Sequence, residues 1–189
     1  MDSRHPHQSM RLFFAIALSS IARNSLSEYT PKVKERLDRQ GLRWTRPEKW
    51  HVTVLFVGDE DPETVKGMAA EVLKGQKEVR LKLEKINGLP DLKRPGVLCL
   101  GVSVLSGDLN AIHQALSGAF PMDDEEYQPH LTLARMKPAS TKLGHKLRDF
   151  MHSGAVPEDI QWNAESVTLY NTLLDGSYEV IAEFQLINN

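Results

Sequence analysis

Apolar and polar positions along the chain change period several times, and each change marks an element. Residues 11–18 form an apolar run that reads as a strand. A helix follows over about 19–39, stopped by Gly41 and kinked or interrupted by Pro31. Residues 51–57 return to a strand pattern, and Asp61-Pro62-Glu63 then opens a helix that runs to about Lys74. Residues 79–86 alternate charged and apolar side chains, as a half-exposed strand does, whereas 96–105 reads as a more buried strand. Asp108 caps a helix to about Ser117. A strand near 130–136, a helix over about 140–152 and two strands near 167–170 and 178–186 complete the order. A strand followed by a helix occurs in each half, with no further repeat between them.

Two of these strands carry the same pattern. His51-Val52-Thr53-Val54 and His130-Leu131-Thr132-Leu133 each set an imidazole two residues ahead of a hydroxyl inside an apolar run. In a strand, side chains i and i+2 leave the same face, so each segment shows His and Thr on one side and packs its aliphatic residues on the other. One such segment by itself is weak evidence, since a His at a strand end is an ordinary core or surface feature. Two side by side give a pair of titratable groups and a pair of hydroxyl donors in one cleft. An acid, a base and oxyanion ligands are what phosphoryl transfer requires when no metal takes part.

The surroundings of both segments resemble the 2H phosphoesterases, and within them the RNA 2′,3′-cyclic phosphodiesterases once called 2′-5′ RNA ligases. Arg11-Leu12-Phe13-Phe14-Ala15-Ile16 resembles the opening strand of that family. Leu42-Arg43-Trp44 and Pro47-Glu48 before His51, and Leu55-Phe56-Val57-Gly58 after it, match the surroundings of its first motif. Arg94-Pro95 with Val97-Leu98 and Gly101-Val102 resembles its central strand, and Pro129 through Arg135 its second motif. Val167-Thr168-Leu169-Tyr170, Gly176 and Tyr178 resemble its closing hairpin.

The resemblance implies an α+β, two-lobed fold: two antiparallel sheets related by a pseudo-twofold axis around a central groove, with helices outside. It implies opening of an RNA-terminal 2′,3′-cyclic phosphate to a 2′-phosphate, and weak 2′-5′ ligation in reverse. In that chemistry His130 takes a proton from the attacking water, His51 gives one to the departing 3′ oxygen, and Thr53 and Thr132 donate to the nonbridging oxygens. The residue pattern alone leaves open which imidazole is acid and which base. A noncatalytic nucleotide-binding module on the same fold and a phosphodiesterase for 2′-5′-linked oligonucleotides or small cyclic nucleotides are the alternatives.

Three further residues are candidates for substrate binding. Arg135 matches a substrate-binding Arg of the family, yet strict alternation from Thr132 sends it to the opposite face, so only a bulge or the strand's end brings it to the phosphate. Phe13 and Phe14 are adjacent; either both are core, or the one facing the groove stacks a terminal base, and Phe14 is taken as that one. Tyr127 matches an aromatic position of the family at the groove mouth. His113, His145 and His152 fall on predicted helices without paired ligands and read as packing or surface residues. The Thr partners favour phosphate over metal at the two motifs, so no metal and no cofactor is expected.

Composition narrows the partners. The chain has 189 residues, 41% of them hydrophobic, enough for one core without a second domain. A formal net charge of −2 argues against bulk capture of long nucleic acid, so RNA ends or small nucleotides bearing a cyclic phosphate are the expected partners, gripped at the end. Asp123-Asp124-Glu125-Glu126, before the second motif, adds to that argument. Asn171-Thr172 also departs from the acidic residue and serine usual in the family's closing hairpin. The single Cys99 reads as an inert core thiol and favours a reducing compartment. No segment reads as a membrane span or signal peptide, so a cytoplasmic monomer is expected. Residues 1–9 read as a disordered extension, and residues 10–189 as a single bilobal domain.

Overall fold

The computed structural model describes residues 10–37, 41–120, 126–152, 157 and 159–188. The elements are β1 (Met10–Ala17), α1 (Ser20–Leu37), β2 (Arg43–Trp44), β3 (His51–Glu60), α2 (Pro62–Val72), β4 (Val79–Leu89), β5 (Val97–Ser106), α3 (Leu109–Ala119), β6 (His130–Arg135), α4 (Thr141–His152), β7 (Gln161–Ala164), β8 (Ser166–Thr172) and β9 (Tyr178–Gln185). A 3-10 turn at Pro47–Lys49 leads into β3. Every strand and helix expected from the hydrophobic pattern is present, and β2, β7 and the 3-10 turn are additions. The first nine residues lie outside the described residues.

Local chemistry explains the helix starts. The Asp61 carboxylate accepts from the Thr64 amide at 2.8 Å and the Asp108 carboxylate from the Ala111 amide at 2.9 Å. The Ser140 hydroxyl accepts from the Leu143 amide at 3.3 Å. Each contact satisfies an amide that has no partner within its helix, worth about 1 kcal/mol. Pro31 lies inside α1, which continues through it to Leu37. Ala22, Leu26, Tyr29, Val33 and Leu37 make the buried stripe of that helix, a spacing of three to four residues that keeps one face on the core.

The strands form one nine-stranded sheet rather than the two sheets expected. Its order is β7-β4-β5-β6-β3-β1-β8-β9, with β2 added on β6. The pairing is thinnest at the middle of the sheet, where β3 and β6 meet only at Val52 and Leu131 among the described residues. That one bridge welds a β7-β4-β5-β6 half to a β3-β1-β8-β9 half. Both bridging residues are fully buried, so the seam closes on core side chains. Helices α1 and α4 contact β7 and β4 of the first half, and α2 and α3 contact β9 and β3 of the second.

Bulges set which side chains share a face. Along β1 and β3 the register runs Ala17 with His51, Ala15 with Thr53, Phe14 with Leu55 and Phe13 with Phe56, leaving Val54 as an extra residue. A second irregularity leaves Val57 extra, next to Gly58 at φ +90°, a backbone conformation that only glycine adopts without strain. In β6, Cys99 pairs with Thr132 and Leu98 with Ala134, leaving Leu133 extra. Both motif strands therefore bulge one residue after the threonine.

Candidate active site

The bridge at Val52 and Leu131 lies at the centre of both His-x-Thr patterns. Extending its antiparallel register by one residue each way sets His51 across from Thr132 and Thr53 across from His130. The two patterns thus face each other about a local twofold axis, with the buried Val52 and Leu131 below and the four polar side chains above.

Each imidazole is held in the same way. His51 Nδ1 lies 2.8 Å from the Lys49 carbonyl oxygen, and His130 Nδ1 lies 2.8 Å from that of Gln128. A carbonyl only accepts, so Nδ1 carries the proton in both rings and Nε2 of the neutral form keeps its lone pair. The Nε2 of His51 lies 3.1 Å from the Thr53 hydroxyl, which donates to it while the ring is neutral.

Their surroundings differ. The His51 ring packs against Phe13 at 5.2 Å, edge-on to Tyr178 at 5.4 Å and beside Tyr170 at 6.4 Å. Burial lowers its pKa from 6.5 to about 4; the Lys49 carbonyl works against that shift, while the charges of Arg135 and His130 add to it. Lys49 reaches over the Tyr178 ring and donates to the Gly176 carbonyl, tying the β8–β9 turn to the start of β3. His130 sits at the start of β6 with no aromatic ring packed on it among the described residues.

A cleft of about 970 Å³ opens on this face, lined in part by Thr53, Phe56, Tyr127, His130 and Arg135. His51 and Thr132 are not on its wall; His51 connects to it through Thr53. The bulge at Leu133 turns Arg135 onto the His130 face, resolving its position in favour of the cleft. The bulge at Val54 does the same for Phe56, which occupies the equivalent position after Thr53 and is 58% exposed. Phe56 is a site residue that sequence reasoning misses, though its spacing from Thr53 equals that of Arg135 from Thr132. Tyr170 and Tyr178 are legible in the sequence only as part of the closing hairpin. Their contact with His51 depends on long-range strand pairing.

Phe14 requires correction. It is fully buried and packs against Phe120 and Phe184, so it offers no surface to a base. Its neighbour Phe13 faces the His51 side but is itself covered, with Tyr170 stacked on it at 5.3 Å. Tyr127 lines the cleft, donates to the Thr53 carbonyl at 3.2 Å and stacks on His113 at 4.0 Å. Burial pushes its phenol pKa up, so the hydroxyl stays protonated and holds that bond. His113 in turn bonds the Val54 carbonyl at 2.9 Å, so both rings brace the bulge of β3. Glu126 also lines the cleft, whereas Asp123, Asp124 and Glu125 lie outside the described residues. Cys99 is buried and its thiol is pushed up to about 12 by burial. Among the described residues no group of three or more His, Cys, Asp or Glu is arranged to hold a metal ion. No described helix is long and apolar enough to cross a membrane.

One His-x-Thr strand from each half, meeting beneath a single cleft, is the arrangement expected of a 2H phosphoesterase. The chain belongs to the 2'-5' RNA ligase superfamily, whose family model matches residues 22–176. It is 29% identical over 180 residues to an RNA 2',3'-cyclic phosphodiesterase of Methanocaldococcus jannaschii, covering 93% of this chain and 100% of that one. It is 27% identical over 176 residues to the protein of the same name from Aquifex aeolicus, covering 86% of this chain and 92% of that one. The fold matches the crystal structure of TT0787 of Thermus thermophilus with a TM-score of 0.73 at 22% identity, over 94% of this chain and 98% of that one. It also matches E. coli LigT complexed with 3'-AMP, with a TM-score of 0.65 at 19% identity, over 94% and 98% of the two chains.

Proposed function

We propose that this protein opens the 2′,3′-cyclic phosphate at an RNA end to a 2′-phosphate, using two imidazoles and two hydroxyls rather than a metal. The observation that carries the reading is the register at Val52 and Leu131, which sets the two His-x-Thr pairs head to tail. The names of the relatives from M. jannaschii and A. aeolicus support the substrate. The 3'-AMP complex of the LigT structure supports a nucleotide in this kind of cleft.

His130 Nε2 takes a proton from water as the water oxygen attacks phosphorus. The bond from phosphorus to the 3′ oxygen breaks on the opposite side, and His51 Nε2 gives that oxygen its proton, leaving a 2′-phosphate and a free 3′-hydroxyl. Thr53, Thr132 and Arg135 stabilise the charge that builds on the nonbridging oxygens. The Lys49 and Gln128 carbonyls hold both Nδ1 protons in place, so each Nε2 is the atom that exchanges a proton. The exposed Phe56 ring offers a face to the terminal base.

The acid role needs a protonated His51, and in the empty cleft burial holds that ring neutral above about pH 4. A phosphodiester anion supplies the missing counter-charge. Placed against Nε2 and Arg135, it favours the imidazolium and offsets the guanidinium charge, so the proton enters with the substrate. Turnover of a 2′,3′-cyclic mononucleotide with excess EDTA tests the reading. A 2′-phosphate product and an unchanged rate in chelator are expected; protection without turnover marks a binding module, and loss of activity restored by a divalent ion gives the histidines ligand roles.

A further inference from the structure

A second hollow, of about 590 Å³, borders the catalytic cleft and is lined by Gly41, Arg94 and the 136–142 segment that joins β6 to α4. Met136, Lys137 and Ala139 line both spaces, so the two adjoin at that segment. Arg94, Lys137 and Lys142 put three cations on its wall, and no carboxylate lines it among the described residues. None of the three forms an ion pair among the described residues, and all are exposed. In a chain of formal net charge −2, three cations on a wall with no carboxylate among its described lining residues form a local basic patch against the general balance.

The wall is braced. Arg94 Nε donates to the Ala139 carbonyl at 3.0 Å, the Ser140 amide to the Pro95 carbonyl at 3.3 Å and the Met136 amide to the Gly96 carbonyl at 2.8 Å. Arg148 donates to the Leu92 carbonyl at 2.8 Å, fixing α4 to the same loop. Gly144 permits that approach, because a Cβ there would collide with the Leu92 carbonyl. The volume falls within the ~300–1,000 Å³ usual for ligand sites.

We propose that this hollow binds backbone phosphates of RNA on the 5′ side of the terminal nucleotide, making a cyclic-phosphate-ended oligoribonucleotide, rather than a cyclic mononucleotide, the preferred substrate. The proposal rests on the reading of the cleft as a cyclic phosphodiesterase site. With the cyclic phosphate between the motifs and beside Arg135, the chain that continues from the terminal 5′ oxygen has a basic exit past Lys137. Three exposed cations on a braced wall meet successive phosphates without reading base identity. The end-only grip inferred from net charge then becomes a grip on the end and a short tract behind it.

The test compares kcat/KM for 2′,3′-cyclic AMP with that for a hexaribonucleotide ending in a cyclic phosphate, in the wild type and in Arg94→Gln/Lys142→Gln. The wild type should favour the hexamer, and the variant should lose about tenfold on the hexamer while staying within about twofold on cyclic AMP. The salt dependence of the hexamer rate should become shallower by about one log unit per log salt in the variant. Lys142→Gln alone, with thermal melts, separates a disturbed Arg94 loop from a lost phosphate contact. Equal loss on both substrates, or no loss on either, overturns the proposal. If the wild type turns over neither substrate, the cyclic phosphodiesterase reading fails by itself. Fluorescence anisotropy with a 3′-phosphorylated hexamer then decides the hollow: weaker binding by the variant supports it, and equal binding overturns it.

Discussion

His51 and His130 stand at the same place in the same four-residue pattern, with Nδ1 anchored on the carbonyl two residues back in both cases. Around His51 the fold packs Phe13, Tyr170 and Tyr178, and Arg135 adds a positive charge nearby. Around His130 it leaves an open cleft wall. Equal motifs in unequal surroundings are a way to obtain opposite proton roles from one side-chain type. The buried ring resists charging until an anion arrives, and the ring on the cleft wall meets solvent from which a nucleophilic water comes.

Removing either imidazole should have the largest effect. His51→Ala and His130→Ala are each expected to lower turnover of a 2′,3′-cyclic nucleotide by about 10²- to 10⁴-fold, with thermal melts showing a folded protein. The comparison sharpens with a nitrophenyl phosphodiester, whose leaving group needs no proton. On that substrate His51→Ala should recover much of its loss and His130→Ala should not. Recovery of both variants, or of His130→Ala alone, contradicts the assignment of acid and base.

Thr53→Val and Thr132→Val keep shape and remove one donor each. A loss of about tenfold to a hundredfold is expected for each, with Thr53→Val also removing the hydroxyl that contacts His51 Nε2. Equal activity of both variants and wild type would leave the oxyanion to Arg135 alone. A smaller effect follows from the aromatic wall. Phe13→Leu should cost stability by about 1 kcal/mol, let water nearer His51 and move its pKa back toward 6.5. An unmoved value would show that the ring contact is not what holds His51 neutral.

Much of this arrangement was legible along the chain because it is local. A period of two placed His51 with Thr53 and His130 with Thr132, and Asp61 and Asp108 marked helix starts by chemistry confined to three or four residues. What escaped depends on contacts between distant segments. Whether Phe13 or Phe14 faces His51 is decided by the β1–β3 register, which sets Ala17 across from His51 and so puts Ala15 and Phe13 on its face, a pairing that neither strand's own pattern carries; the face of Phe56 is reversed by the extra Val54 of β3. Arg135 is the same case on β6, where one extra residue reverses a face. One sheet replaced two because a single residue pair joins the halves, a link too short to leave a pattern. The four-residue β7 and two-residue β2 are below the length at which alternation can be read.

The difference between the two imidazoles is tested most directly by following the His51 ring through a pH titration by NMR, in the empty protein and with sulfate, an anion that does not itself titrate between pH 4 and 8. In the empty protein His51 should titrate near 4, and sulfate should raise that value by about one unit or more, so that anion affinity grows as pH falls from 7 toward 4. A His51 that titrates near 6.5 in the empty protein, or stays near 4 with the anion bound, contradicts a proton that enters with the substrate.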